Sequence, residues 1–161
     1  MGVVEDLALI DEQERLLRFP AFDAETAWRL GGLLRDKLVA LGAAATVEIE
    51  LAGQVLFACA TVGATPGQAD WIRRKRNVVR RFARSTYAVG RMLERDGQTM
   101  LERHGLELKD YASHGGGFPL WVVGVGCVGS VVVSGLPQRD DHSLVVAVIA
   151  EVIGVAVPAL I

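Results

Sequence analysis

Two histidines in glycine-rich segments are the residues of this chain whose positions best suit binding or chemistry. The first elbow, Tyr111–Pro119, contains His114 followed by the three glycines Gly115–Gly117, and the second elbow, Ser134–His142, ends in the second histidine. Glycines allow sharp backbone turns and let backbone N–H groups approach an anion. Both elbows flank an apolar run, and polar residues at the ends of buried strands often form ligand sites. We therefore expect a site where the two elbows meet.

The roles open to these residues differ. His114 is suited to ligate a metal or a haem iron, or to transfer protons, and the alternative is a loop histidine bonded to nearby backbone. The amides of Gly115–Gly117 are expected to hold a carboxylate, with Ser134 and His142 at the same site. We assign no metal, keep His114 as the candidate ligand, and keep haem as a candidate cofactor.

Lys75 is a charged residue on an apolar helix face. A helical wheel places Lys75 between Trp71 and Val78, whereas most neighbouring arginines fall on the opposite side. Asp141 similarly lies on the apolar stripe of the last helix, and a buried charge needs a partner. The wheel predicts a Lys75–Asp141 pair, which is either part of a site or an ordinary ion pair. The alternative is that Lys75 lies near the helix start and extends its amine into solvent.

Familiar catalytic motifs do not occur in the sequence. There is no HExxH, no zinc-like CxxC, no GxSxG and no Walker loop. A binding pocket is therefore favoured over a defined catalytic centre, and whether the protein is an enzyme stays open. We weigh a small-ligand protein first, then an oligomeric scaffold or adaptor without a cofactor, and last an enzyme that uses Lys75 and Asp141 for acid–base work.

Composition limits the class of protein. The 161 residues predict one domain, 1–161, and a hydrophobic fraction of 51% is high enough to predict a homodimer or larger homo-oligomer. No apolar run reaches the roughly 18–20 residues of a membrane-spanning helix, so no membrane partner is expected. Cys59 and Cys127 lack metal-ligand spacing. The N-terminus lacks signal-peptide features, so we expect the protein in the cytoplasm.

Seven basic residues crowd the segment Arg73–Arg84, although the net charge of the chain is −2. Nucleic-acid surfaces place aromatic rings beside such groups, and here the aromatic side chains fall on the other side of the helix. The basic face is therefore expected to be solvated or in contact with another subunit, paired with acids from the first helices. We expect no nucleic-acid partner.

The hydrophobic pattern predicts two helices, a hairpin, a long helix, a second hairpin and a last helix. The predicted helices cover 3–18, 24–41, 69–95 and 140–153, and the predicted strands cover 46–51, 54–61, 120–125 and 129–134. This order is typical of an α+β protein with one antiparallel sheet and packed helices. Residues 98–106 predict a short helix or turn, and the alternative is a fifth strand, there or in the apolar tail. The tail should itself pack against the domain.

Several motifs together resemble the UPF0303 family, a branch of the haem-degrading-domain superfamily that includes GlcG-like and HbpS-like proteins. The motifs are His114–Pro119, Gly124–Gly126, Val133–Gln138, Asp141-His142 and Trp71-Ile72-x-x-Lys75. The similarity extends over essentially the whole chain. It implies a profilin-like sandwich with helices on both faces of a sheet of about five strands, and a homo-oligomer. It also implies that Lys75, His114, Gly115–Gly117, Ser134 and Asp141 are motif positions, with haem or another small anionic molecule as the ligand.

Overall fold

The computed structural model describes residues 2–161 and contains six helices and four strands within that range. The elements in chain order are α1 (Val3–Leu16), α2 (Ala24–Ala40), β1 (Thr46–Leu51), β2 (Gln54–Ala60), α3 (Pro66–Phe82), α4 (Thr86–Asp96), α5 (Met100–His104), β3 (Gly117–Val122), β4 (Gly126–Ser134) and α6 (Gln138–Ile153). None of these helices is both long and apolar enough to cross a membrane.

The helix predicted over 69–95 is in fact two helices. The first begins at Pro66 and ends before Ala83, which adopts a left-handed conformation with φ of 52°. The side chain of Ser85 then accepts a hydrogen bond from the amide of Ala88 and starts α4 as its N-cap. Because α3 begins earlier than predicted, Lys75 lies in the middle of this helix and not near its start.

The sheet has four antiparallel strands in the order β2-β1-β4-β3, one fewer than predicted. Residues 98–106 contain the short helix α5 that was predicted there, and not the alternative fifth strand, because Thr99 and Glu102 form a reciprocal capping box that favours a helix. The tail after α6 has no regular secondary structure in residues 155–161. It nevertheless packs, since the Nε2 of Gln13 donates a hydrogen bond to the carbonyl of Pro158 at 2.8 Å.

Helices cover both faces of this sheet, as the predicted sandwich requires. On one face, α2 packs against β1 and β2, and α6 packs against β3 and β4. Val47 and Ile49 of β1 are fully buried in the core on this face. On the other face, α3 lies across β1, β3 and β4. Leu30, Leu34 and Leu38 of α2 are fully buried, and each such side chain contributes about 1.5–3 kcal/mol through burial. The fold is therefore the expected α+β sandwich.

The basic face of α3 is only partly solvated. The Nη1 of Arg76 lies 2.7 Å from the Oε1 of Glu48 on β1, and Arg84 lies 2.9 Å from Glu14 of α1. The pairing with acids of the first helix was predicted, whereas the pairing with the sheet was not. Long arginine side chains reach back to the sheet from positions that a wheel assigns to the outer face.

Candidate functional site

A cleft of about 270 Å³ lies where α3, the first elbow and the second elbow meet. Its walls come from α3, the loop before β3, the end of β4 and the first turn of α6. Four predicted site residues line the cleft: Lys75, His114, Ser134 and Asp141. The other lining residues are Gln68, Trp71, Gly135, Leu136 and Gln138. The two elbows therefore converge, as the sequence predicted.

The Lys75 amine is buried at the inner wall of this cleft. Its side chain is 3% exposed, which contradicts the alternative that the amine extends into solvent. The Nζ atom donates hydrogen bonds to the carbonyl oxygen of Val133 at 2.9 Å and to the Oδ2 of Asp141 at 3.3 Å. Burial lowers the pKa of Lys75, and the charge of Asp141 opposes this effect. The predicted Lys75–Asp141 pair is present and lies at the cleft.

Asp141 is held in place by the backbone of the second elbow. Its Oδ1 accepts a hydrogen bond from the amide of Leu136 at 3.0 Å, and its Oδ2 accepts one from the amide of Gly135 at 3.3 Å. Burial raises the pKa of Asp141, although Lys75 and these amides favour the carboxylate. Burial thus disfavours both charges of the Lys75–Asp141 pair. Transfer of one proton from the amine to the carboxylate removes both charges at once.

His114 lies at the rim of the cleft. Its ring packs edge-on against Trp71, with 4.9 Å between the ring centres, and forms no hydrogen bond within residues 2–161. Partial burial lowers the pKa of His114, and the positive charges of Lys75 and Arg74 lower it further. The imidazole is therefore neutral at pH 7, and its nitrogen lone pair is free to bind a ligand.

Two of the three glycine amides that were expected to hold an anion are engaged within the protein. The amide of Gly115 donates to the Oε1 of Gln138 at 3.2 Å, and the amide of Gly117 donates to the Oγ1 of Thr86 at 2.9 Å. These N–H groups are used within the protein. Gly116 has another role: with φ of 127°, a Cβ atom there would lie 2.2 Å from the carbonyl oxygen of Val133 and 2.9 Å from the Lys75 Nζ.

His142 does not line the cleft, although the sequence placed it at the site. Its side chain is fully buried in the domain, where its Nε2 lies 2.8 Å from the Oε1 of Gln13. The rings of Tyr87 and Phe118 lie on either side, with centres 5.2 and 6.0 Å away. Burial lowers the pKa of His142 to about 3, and Arg139 contributes to this shift. His142 is thus a neutral core residue.

Five residues that line the cleft were not predicted individually as site residues: Gln68, Trp71, Gly135, Leu136 and Gln138. Trp71 had been assigned to the apolar face of the helix, and Gln68 lies in the first turn of α3. The other three lie within the second elbow, where Gln138 begins α6. Their closeness along the chain to Lys75 and Asp141 was the available signal. Within residues 2–161, no group of three or more histidine, cysteine, aspartate or glutamate side chains could hold a metal ion.

A family model and several proteins of known sequence match this chain over most of its length. The family model described as "Haem degrading protein HbpS-like" matches residues 22–150. A UPF0303 protein of Serratia proteamaculans is 45% identical over 160 residues and covers 99% of both chains. A UPF0303 protein of Burkholderia thailandensis is 49% identical over 160 residues, covering 99% of this chain and 97% of the relative.

Solved structures share the fold at lower identity. The Ybr137w protein superposes with a TM-score of 0.86 at 23% identity, covering 94% of this chain and 90% of its own. The PduOC:heme complex superposes with a TM-score of 0.69 at 20% identity, covering 85% of this chain and 98% of its own. HbpS superposes with a TM-score of 0.64 at 20% identity, covering 83% of this chain and 90% of its own. The fold and motifs define a haem-degrading-domain protein. The chain belongs to the HbpS-like family and resembles its UPF0303 members over its full length.

Proposed function

We propose that this protein binds a small anionic organic molecule in the cleft between the two elbows. The observation that carries the proposal is the Lys75 amine, which lies at the wall of an accessible cleft and is itself buried. An ammonium has three N–H donors, and two of them are used by Val133 and Asp141. One donor is therefore left for an oxygen of a ligand.

The surroundings of the amine favour a carboxylate. The guanidinium of Arg74 lies 4.4 Å from the ring centre of Trp71, so a second positive charge adjoins the cleft. Gln68 and Gln138 supply neutral polar groups along the same walls. Ligand pockets commonly measure about 300–1,000 Å³, so a cleft near the lower limit suits a molecule of few atoms.

Calorimetric titration with oxamate, a small carboxylate without a reactive carbonyl, tests this proposal. We expect saturable binding at one site per chain. Replacing both partners, Lys75→Met with Asp141→Asn, should abolish the binding without leaving one buried charge alone. The control is Lys109→Met, because the Lys109 side chain is exposed and does not line the cleft. Absence of saturable binding to the unmodified protein, or equal binding to the double variant, contradicts the proposal.

Haem is the second candidate ligand, favoured by family membership and by His114. One solved relative of this fold is a haem complex. A neutral, exposed imidazole without a hydrogen-bond partner is suited to serve as an axial iron ligand, and Lys75 is suited to hold one haem carboxylate. Bound haem iron would supply redox and oxygen chemistry. The cleft is smaller than a porphyrin requires, so most of the macrocycle would lie outside it.

Absorption spectra during haemin titration test this second candidate. Ligation by His114 predicts a saturable Soret shift that disappears in His114→Ala. His104→Ala is the matched control, because His104 packs against Phe82 and does not line the cleft. A Soret shift that persists in His114→Ala excludes this residue as the ligand. If neither haemin nor oxamate binds, the alternative of a scaffold without a ligand is supported.

We also propose self-association through the edge strand β2. It is hydrogen-bonded on one side only, to β1, and none of its seven residues is charged. Val55 within β2 is 48% exposed, and Trp28 of α2, which packs against Phe57 of β2, is 69% exposed. An uncharged strand at a sheet edge is a template for pairing, and antiparallel pairing with a second copy produces a two-fold dimer.

Sedimentation velocity at micromolar concentration tests this assembly. We expect an oligomer for the unmodified chain and a shift towards monomer for Val55→Lys, since an edge lysine opposes strand pairing. Leu101→Lys is the control, because Leu101 is 59% exposed on α5, away from β2. A monomeric unmodified protein, or an oligomer unchanged by Val55→Lys, contradicts pairing through β2.

A further inference from the structure

Lysine is a rare residue in this chain, and one of its lysines is buried. Only three of the 17 basic residues are lysines: Lys37, Lys75 and Lys109. Lys37 and Lys109 are exposed and form surface ion pairs with Glu151 and Glu107. The remaining basic residues are arginines, which form most of the ion pairs. A lysine at the cleft wall therefore stands out in a protein that otherwise uses arginine.

The chemical difference between the two residues is the ability to lose a proton. A guanidinium stays charged in proteins, whereas a buried amine can become neutral and act as a nucleophile. An arginine would serve equally well or better as a structural partner for a carboxylate, because it bonds in a bidentate manner. The position of Lys75 beside an accessible cleft is thus suited to amine chemistry as well as to charge pairing.

We propose that Lys75 is a carbonyl-reactive lysine, whose amine forms an imine with the oxo group of a small α-oxo acid or aldehyde acid held in the cleft. This inference rests on the proposed binding of an anionic ligand and names its chemical class. The geometry that carries it is the Nζ atom at the inner cleft wall, 3.3 Å from the Oδ2 of Asp141. Gly116 leaves the space that the amine needs.

Each step of the reaction balances with the groups present. Transfer of the Lys75 proton to Asp141 gives a neutral amine and a carboxylic acid. The amine attacks the carbonyl carbon, the C–N bond forms, and one amine proton passes to the carbonyl oxygen. Asp141 then gives its proton to the new hydroxyl group, which leaves as water as the C=N bond forms. The product is a protonated imine with the Asp141 carboxylate as its counter-ion, and no oxidant or reductant is needed.

The neighbouring groups support this sequence. The burial that lowers the pKa of Lys75 also raises that of Asp141, so the uncharged pair required for attack becomes accessible. The amides of Gly135 and Leu136 hold the carboxylate in place beside the amine. His114 at the rim is neutral and can assist proton transfer from the solvent side.

Reductive trapping with glyoxylate tests the inference. Cyanoborohydride converts the imine of glyoxylate into a stable carboxymethyl group, and peptide mapping by mass spectrometry locates it. We expect Lys75 to be modified faster than the exposed Lys37 and Lys109, because its amine lies buried at the cleft wall that holds the glyoxylate. Unfolding in urea should abolish this preference, and Asp141→Asn should slow the modification of Lys75 in the folded protein.

Two measurements on the unmodified protein separate this inference from the proposed function. Oxamate binding reports on the cleft alone, whereas glyoxylate labelling of Lys75 also requires a carbonyl-reactive amine. If the unmodified protein binds oxamate but Lys75 is labelled no faster than Lys37 and Lys109, the imine proposal is wrong and the binding proposal stands. If oxamate does not bind, the binding proposal itself fails.

Discussion

The Lys75–Asp141 pair makes the sharpest prediction about stability. Both side chains are almost completely buried, at 3% and 2% exposure. Lys75→Met removes the amine and leaves the Asp141 carboxylate with only the amides of Gly135 and Leu136. Breaking a buried pair in this way costs about 3–5 kcal/mol of the free energy of unfolding, because one charge is left uncompensated. Total stabilities of about 5–15 kcal/mol make such a loss large.

The double variant distinguishes a coupled pair from two independent contributions. Asp141→Asn alone leaves a buried ammonium, whereas Lys75→Met with Asp141→Asn leaves no charge. The loss in the double variant should be smaller than the sum of the single losses by about 1–3 kcal/mol. Lys37→Met is the matched control, since Lys37 lies 3.5 Å from Glu151 on the surface and its pair contributes less than about 1 kcal/mol.

Urea unfolding at pH 7, followed by circular dichroism at one fixed protein concentration, measures these free energies. A fixed concentration matters because self-association would stabilise the folded state. Additive losses in the two single variants would refute the coupling. So would a Lys75→Met variant within about 0.5 kcal/mol of the unmodified protein, the range typical of surface substitutions.

Two further predictions concern the buried His142 and the crowded Gly116. Because the pKa of His142 is low in the folded protein, only the unfolded chain binds a proton at this residue between pH 7 and pH 5. The free energy of unfolding should therefore fall by about 2 kcal/mol over this range. His142→Gln should remove this loss, and a variant whose free energy of unfolding falls as steeply with pH would contradict the prediction. Gly116→Ala should lower the free energy of unfolding by more than Gly124→Ala. Both glycines have a positive φ, but a Cβ atom at Gly124 would have no atom within 4 Å. Equal losses would show that crowding by Val133 and Lys75 at Gly116 is unimportant.

The part of the site that could be predicted from the sequence consists of charged residues that interrupt apolar helical stripes. Lys75 and Asp141 each interrupt an apolar helical stripe, and a buried charge needs a partner, so their pairing followed from the wheel alone. His142 was misplaced because proximity to Asp141 along the chain does not fix direction. Adjacent helical residues point about 100° apart, and His142 points into the core between Tyr87 and Phe118.

The boundaries of the fold were less predictable. The break between α3 and α4 depends on a left-handed Ala83, a conformation usually assigned to glycine, so only the N-cap Ser85 signalled it. A short helix at 98–106 was predicted, and the capping box of Thr99 and Glu102 is the sequence signal that favours it over the alternative fifth strand. The engagement of the Gly115 and Gly117 amides by side chains depends on tertiary packing, which no local pattern encodes.

Amide NMR spectra recorded during oxamate titration test most directly whether the cleft is a binding site. Ligand binding in the cleft should cause saturable shifts of the amide signals of Gly135 and Leu136, which contact Asp141 at the cleft wall. Gly124, in the turn between β3 and β4, should not shift. Unchanged Gly135 and Leu136 signals, or shifts at Gly124 of the same size, would show that oxamate does not bind in the cleft.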